Sequence, residues 1–251
     1  MLKRLNFKLT IVIPTLNSQK YLKKTLSTLK QQIFQNFVIY VADGGSRDGT
    51  LELFKKSKLK YEIISKKDKS PEEAVNKCFK KIKTEYFTIL GSDDFYGNKF
   101  YLQNLVNSIK NNNIDFVMPG LAFIYGNKIV HKSSGYNFNV IRYRPIFPGY
   151  GWLATQKISK ILFDERYKVA SDYDFLLKVY QKKYKFYRQN NSIYCFRAGG
   201  FSSRSYLKGL KEAKEISIKF KGPKILIYTI YYFKIIKYIL KIFLQNLLKF
   251  N

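Results

Sequence analysis

Short apolar runs alternate with amphipathic stretches through the first half of the chain. Leu9 to Ile13 is apolar and stopped by Pro14, which predicts a buried strand. Ser18 to Gln32 then carries apolar residues at Tyr21, Leu22, Leu26 and Leu29, with Ile33 just beyond, the three-to-four spacing of an amphipathic helix. Phe37 to Val41 predicts a second strand, which opens into a glycine-rich loop before a helix from about Leu51 to Lys56. Tyr61 to Ile64 predicts a third strand. Pro71 to Lys81 follows as a helix with proline in its first turn. Glu85 to Leu90 is the fourth strand, followed by a helix over Lys99 to Lys110 and a strand over Ile114 to Met118. Strand and helix in alternation predict a parallel, helix-covered sheet.

The pattern changes after Met118. Leu121 to Tyr125 and Lys128 to His131 flank Gly126-Asn127, a two-residue hairpin turn. Gly135 to Tyr150 is loop-rich and aromatic, with Pro145 and Pro148. A helix is predicted over Asp172 to Gln181, then strands at Lys185 to Tyr187 and Ile193 to Phe196, a flexible loop at Gly199-Gly200, and a helix over Tyr206 to Phe220. No acidic residue occurs from Ile216 to Asn251. Lys234, Lys237, Lys241, Gln245 and Lys249 recur there every three or four positions, opposite Ile, Leu, Phe and Tyr. The uncharged stretch between Lys224 and Lys234 is shorter than the ~20 residues that cross a bilayer. A basic amphipathic helix lying on an anionic membrane, lysine stems snorkelling, is the expectation. A helix packed on the protein's own body or on a partner is the alternative.

Composition sharpens this picture. A chain of 251 residues that is 46% hydrophobic and 17% aromatic holds one sizeable domain, or one with an appendage. The formal net charge of +29 attracts phosphate-bearing substrates, anionic lipid or nucleic acid. Codon bias toward Lys, Ile, Asn, Phe and Tyr accounts for part of it. Cys78 and Cys195 have no metal or redox spacing and are expected as buried apolar groups. The single histidine, His131, argues against a zinc site or a histidine triad. Met1 to Leu9 has no apolar signal core, so cytosolic synthesis without export is expected.

Candidate chemistry lies at strand ends. Gly91-Ser92-Asp93-Asp94 closes the fourth strand with two carboxylates, where open α/β sheets bind ligands. Two hard oxygen donors suit Mg2+ or Mn2+ held together with substrate phosphates; a solvated turn is the plainer alternative. Three further strand-end loops should open on the same edge: Pro14-Thr15-Leu16-Asn17, Asp43 to Ser46, and Asp68-Lys69. Backbone amides, a carboxylate in a glycine loop, a lysine and a metal-binding pair suit a nucleoside diphosphate. The first loop lacks GxGxxG, and no Walker lysine motif is present.

Ile11-Val12-Ile13-Pro14-Thr15-Leu16-Asn17, Val41-Ala42-Asp43-Gly44-Gly45-Ser46-Arg47-Asp48-Gly49-Thr50 and Gly91-Ser92-Asp93-Asp94 together resemble family 2 glycosyltransferases of the GT-A fold. Asp68-Lys69 with Ala74 and Asn76 matches the segment between that family's third strand and its metal loop. Phe163-Asp164-Glu165 with Ala170-Ser171-Asp172-Tyr173-Asp174 resembles its acceptor-side motif, and Phe196 to Ser202 a downstream loop of bacterial polysaccharide-assembly members. The similarity covers about residues 8–220.

The resemblance implies a Rossmann-like, mostly parallel α/β sheet with helices on both faces, and C-terminal basic amphipathic helices in addition. It implies a catalytic domain over residues 1–205, with a nucleotide-binding half at about 8–97 and an acceptor half at about 98–205. Residues 206–251 would form a membrane-associating extension. It further implies inverting transfer of one sugar from a nucleotide-sugar, UDP by family habit, to an acceptor hydroxyl. Asp94 assisted by Asp93 would hold the metal, and Asp172 would be the general base, with Asp174 as alternative base or helix cap. Pro14, Thr15, Asn17, Asp43, Gly45, Asp68, Lys69 and Asp93 would line the donor pocket, Asp43 facing the base or ribose. Gly199 and Gly200 are a lid hinge or an ordinary turn. Ser46, Asp48 and Thr50 shape the turn and cap the following helix.

The chain departs from the family pattern at Ser171, where many members have Glu, and at Gly44, where many have a second Asp. It lacks the histidine often found before the acceptor motif, which bears on acceptor contacts; the absence of a Gln-x-x-Arg-Trp motif and of a bundle of membrane spans argues against a processive polymer synthase. The implied acceptor is a lipid-linked glycan of lipopolysaccharide or capsule, at the cytoplasmic face of the cell membrane, with the oligomeric state open. A nucleic-acid binder would not place carboxylates at three strand ends. A sugar-nucleotide nucleotidyltransferase would want a glycine-rich basic first loop.

Overall fold

The computed structural model describes residues 7–65, 68–126, 128–133, 140–143, 145, 149–200 and 205–247. Asn127 of the hairpin turn, most of the 135–150 loop, Phe201 and Ser202, the first six residues and Lys249 lie outside the described residues. In the first half the chain alternates as its apolar pattern predicts. The elements are β1 (Leu9–Thr15), α1 (Gln19–Lys30), β2 (Phe37–Asp43), α2 (Thr50–Ser57), β3 (Tyr61–Ser65), α3 (Pro71–Lys81) and β4 (Tyr86–Ile89). Strands β3-β2-β1-β4 are mutually parallel and adjacent in that order. The strands β2, β1 and β4 are buried on both faces, as cover by helices on each side requires, while the edge strand β3 is half-buried with Glu62 exposed. Ser70 caps α3 by accepting the Glu73 amide at 3.3 Å, with Pro71 at the first helical position.

The second half departs from its expected strand list. Ile114 to Met118 and Leu121 to Tyr125 are one strand, β6 (Phe116–Tyr125), which follows the short β5 (Phe95–Tyr96) and α4 (Tyr101–Asn112). Pro119-Gly120 looks like a break in sequence; here the chain passes through it with only a shift of register against its neighbour. That neighbour is β9 (Phe186–Arg197), which joins the two strands expected at 185–187 and 193–196. It runs parallel to β6. Between β4 and β6 lies β8 (Leu153–Thr155), antiparallel to both, too short to show any period in the sequence. With β7 (Lys128–Ser133) on β6, the described residues form one mixed sheet ordered β3-β2-β1-β4-β8-β6-β9-β5.

Among the described residues the later α-helices are α5 (Ser171–Gln181), α6 (Tyr206–Lys219) and α7 (Lys224–Leu247). Phe175 of α5 stacks on Phe163 with ring centres 4.7 Å apart and on Trp152 at 5.4 Å, and meets Phe79 of α3 edge-on. Such pairs contribute about 0.5–1.5 kcal/mol each beyond area burial, and this group fixes α5 against α3 and β8. Sequence pattern groups α6 with the tail, but Ala213, Ile216 and Phe220 belong to the main core. Its Glu212 carboxylate accepts the amides of Lys168, Val169 and Ala170 at 2.8–3.1 Å, closing the N-terminus of α5. The expected boundary at 205/206 is therefore displaced to the turn before α7. Cys78 and Cys195 are buried, as expected.

Candidate active site

Parallel strands deliver their C-terminal loops to one edge, and side chains lock those loops together. The Gly44 amide donates to the Thr15 carbonyl at 2.9 Å and the Asn17 amide to Ser46 Oγ at 3.0 Å; Asn17 Oδ1 accepts the Arg47 amide at 2.9 Å. Ser18 and Ser92 share a hydroxyl hydrogen bond of 2.8 Å, tying the β1 loop to the acidic loop after β4. These loops enclose a cavity of about 670 Å3 whose wall includes Pro14, Thr15, Asn17, Asp68, Lys69 and Asp93. The Thr15 hydroxyl is buried without a hydrogen-bond partner among the described residues. Asp68 is ion-paired to Lys77 at 2.5 Å.

Of the β2 loop, Ala42 and Gly44 line that wall, and Asp43 and Gly45 are not among its lining residues. The Asp43 carboxylate accepts the Gly45 and Ser46 amides at 3.1 Å each and the Ser46 hydroxyl at 2.5 Å. It shapes its own turn, as Asp does in such loops. Asp48 does the same for the next turn, accepting the Thr50 amide at 3.0 Å.

The two aspartates after β4 separate. Asp93 lines the cavity; Asp94 is 2% exposed and turned inward. Asp94 Oδ2 accepts the Tyr194 hydroxyl at 2.6 Å and Oδ1 the Arg197 amide at 2.8 Å. A Cβ on Gly91 would collide with this carboxylate, so the missing side chain is what lets Asp94 fold back. Of the pair expected to hold a metal, Asp94 thus accepts protein hydrogen bonds on both oxygens, while Asp93 is the carboxylate on the cavity wall. Burial raises both carboxyls above their usual range, and for Asp94 the neighbouring charge of Asp93 adds to it. Asp93 offers one hard oxygen donor group to the cavity. Mg2+ and Mn2+ are commonly held by one or two carboxylates together with substrate phosphates, so this donor set fits a cation shared with a diphosphate. Among the described residues no cluster of three acidic, His or Cys side chains forms a protein-only metal cage.

On α5, Asp172 and Asp174 also part. Asp174 is fully buried between Lys178 and Lys219, 2.7 Å from each. It is a structural ion pair rather than a helix cap. Asp172 does not line the 670 Å3 cavity, but lies against Gly149, where a Cβ would strike its carboxylate and the backbone takes a φ of +29°. Burial pushes the Asp172 carboxyl up to about 7, against the amides of Tyr173 and Gly149, which favour the charged form; Glu72 raises it further. Tyr150 feels the charge of both acidic groups. Burial raises its phenol, as do the charges of Asp172, Glu72, Asp94 and Asp93, so all four carboxylates act on one hydroxyl.

Arg197 is a cavity residue that the sequence offered only as part of a loop motif. Its guanidinium lies 4.4 Å from the Tyr21 ring centre, Nε donates to the Asp93 carbonyl at 3.2 Å, and its amide holds Asp94. Tyr194, inside the strand predicted at Ile193 to Phe196, accepts the Gly91 amide at 3.1 Å besides holding Asp94. Neither role has a local signal, since both partners are about a hundred residues away in the chain.

Comparison with known proteins places this geometry. The profile described as glycosyl transferase family 2 matches residues 10–211. The chain is 28% identical over 216 residues to a Methanococcus voltae dolichyl N-acetyl-alpha-D-glucosaminyl phosphate 3-beta-D-2,3-diacetamido-2,3-dideoxy-beta-D-glucuronosyltransferase, covering 75% of this chain and 66% of that one. It is 26% identical over 190 residues to the Staphylococcus aureus poly(ribitol-phosphate) beta-N-acetylglucosaminyltransferase TarS, covering 69% of this chain. The match thus spans just under two thirds of the first relative and about a third (32%) of TarS. Among solved structures, S. aureus TarS in complex with UDP-GlcNAc superposes with a TM-score of 0.66 at 21% identity over 84% of this chain and 66% of that one. The mannosyltransferase PcManGT from Pyrobaculum calidifontis, in complex with GDP-Man and Mn2+, gives 0.68 at 15% identity over 91% and 70%. These superpositions show the GT-A fold. Because the profile runs through all four strand-end loops and the aspartates of α5, the chain belongs to glycosyl transferase family 2.

Proposed function

We propose that the protein is an inverting transferase that moves one sugar from a nucleotide-sugar to a hydroxyl of a lipid-linked glycan, of the lipopolysaccharide or capsule kind. The observation that carries this is a nucleotide-sized cavity walled by the strand-end loops with Asp93 and Lys69, in a chain that belongs to glycosyl transferase family 2. In the reaction, the acceptor oxygen bonds to the anomeric carbon as the bond from that carbon to the diphosphate breaks. Asp172 takes the hydroxyl proton; a carboxyl poised near neutrality suits that task. Asp93 would hold Mg2+ or Mn2+ with the diphosphate, and the cation would neutralise the leaving group's charge. Lys69 and Arg197 add positive charge on the same wall. The donor nucleotide is UDP by family habit, supported by the UDP-GlcNAc complex of TarS; GDP, as in PcManGT, is the competitor.

Helix α7 is the proposed contact with an anionic membrane. It meets the body along one side, where Ile227 is buried, Lys234 half-buried and Tyr238 packs on Tyr206. Its opposite side is apolar and open, with Ile225 87%, Phe233 67% and Phe243 59% exposed. Exposed Lys237 and Lys241 flank that surface, and no acid lies on the helix. A lipid surface satisfies both the apolar face and the charge. Among the described residues no helix is long and apolar enough to cross a membrane. The reading places the protein at the inner face of the cell membrane, beside a bilayer-bound acceptor.

A thermal-shift screen of sugar nucleotides with and without Mn2+ tests the donor site. We expect one nucleotide to raise the melting temperature in a Mn2+-dependent way that Asp93→Asn removes. Asp172→Asn should keep that shift and lose transfer by 100-fold or more, within the ~10²–10⁴ range of general-base catalysis. No response to any sugar nucleotide rejects the transferase.

A further inference from the structure

Away from the donor cavity, α4 and β9 enclose a second cleft of about 230 Å3. Asn104, Asn107 and Asn111 of α4 recur at helical spacing along one wall, with Ser108 and Asn112 beside them. Tyr187 and Gln189, alternate residues of β9 and so on one face of it, form the other wall. No charged side chain lines the cleft. In a chain of net charge +29 that is a marked exception. The exposed positions of α1 carry Lys20, Lys23, Lys24 and Lys30, whereas the one charged residue of α4, Lys110, stands outside the wall.

A bulge in β9 shapes the cleft. Pro119 of β6 pairs with Gln189 and Gly120 already with Ile193, so Asn190, Asn191 and Ser192 are extra on the β9 side. Side chains hold this bulge: Asn98 donates to the Asn191 carbonyl at 3.2 Å, and Gln189 Oε1 accepts the Asn191 amide at 3.1 Å. Gln189 is thereby turned onto α4, where its amide donates to Ser108 Oγ at 2.9 Å. Bulges commonly re-aim a side chain in this way beside a functional site. β5 pairs only with Tyr194 and Cys195, so among the described residues no strand covers the outer edge of β9 at the cleft. Asn104 is half-buried, and its side-chain amide makes no hydrogen bond among the described residues. Tyr187 keeps 38% of its surface exposed.

We propose that this cleft binds a residue of a neutral sugar chain and so holds the acceptor glycan at a second point. A side-chain amide presents donors and an acceptor side by side, which matches adjacent sugar hydroxyls. The face of an aromatic ring is electron-rich and receives the C–H face of a pyranose. A phosphate or carboxylate ligand would want the cations that these walls lack. Gln189 and Arg197 pair with Pro119 and Ile124, five residues apart on β6, so the cleft lies roughly 17 Å from the donor cavity along the strands. A glycan of several residues covers that distance. Sugar binding by the cleft stands on its own geometry; that the bound chain is the acceptor rests on the transferase reading.

Saturation-transfer NMR tests the cleft with neutral oligosaccharides built of hexose, N-acetylhexosamine or deoxyhexose units, and with an oligogalacturonide as the acidic control. At least one neutral series should bind, with little dependence on salt. Tyr187→Ala and Asn104→Ala should each weaken it about tenfold, the scale of one lost polar or stacking contact. Neither residue lines the donor cavity, so the thermal shift by sugar nucleotides should remain as in the wild type. Both positions are on the surface, and Asn104→Ala decides the matter if Tyr187→Ala does not fold. Binding by no neutral series, binding that survives both substitutions, or a preference for the acidic control each overturns the proposal. Neutral-glycan binding lost in the variants, with no response to any sugar nucleotide, leaves the cleft standing and removes the transferase reading.

Discussion

Asp93 and Asp94 are chemically identical neighbours in opposite surroundings, and what encloses each carboxylate makes the difference. Asp94 is enclosed by the Tyr194 hydroxyl and the Arg197 amide, over the space that Gly91 leaves free. It holds the acidic loop on β9, and Asp93 is left facing the cavity as a result. Tyr194→Phe therefore leaves Asp94 Oδ2 buried and unpaired. The expected cost is about 1–3 kcal/mol of unfolding free energy, measurable by urea titration, with Mn2+-dependent donor affinity weakened as the loop loosens. An unchanged midpoint would show that the bond contributes nothing. In the sequence the pair announces a divalent-cation site, but the assignment within it is not legible, because both decisive partners arrive from a strand on the other side of the sheet.

At the scale of elements, the first four strands and their helices follow from period, caps and proline placement, all of which are local. The second half resists that kind of reading. β8 has three residues, and its place between β4 and β6 depends on the sheet already assembled around it. β6 and β9 each run through a stretch that looks like a turn, since pairing with one another outweighs local propensity. α5 is the most instructive case. Its existence is plain from the apolar spacing, but its start is fixed by Glu212 of α6, which collects three amides from more than forty residues away. Glu212→Ala removes all three acceptors at once. It should lower the urea midpoint by the equivalent of about 2 kcal/mol or more and reduce transfer through misplacement of Asp172. Loss of stability with full transfer would separate α6 from the site.

For the whole molecule, charge and shape are arranged asymmetrically. The cavity opens at one edge of the sheet, while α7 presents an apolar face outward and turns part of its lysine stripe toward the body. Removing residues 223–251 should abolish co-sedimentation with vesicles containing anionic lipid, and binding by the intact chain should weaken in high salt. Retention by the truncated chain would put the contact elsewhere. The order of strands and helices, the four loops on one edge, the family resemblance and the presence of a basic amphipathic tail were set by residues close together in sequence, where hydrophobic period, turn chemistry and motif spacing act. Which aspartate faces the cavity, which carboxylates act on Tyr150, and which face of α7 is left open were decided only on folding. Each depends on burial and on partners remote in the chain, and neither has a signature in any short stretch of sequence.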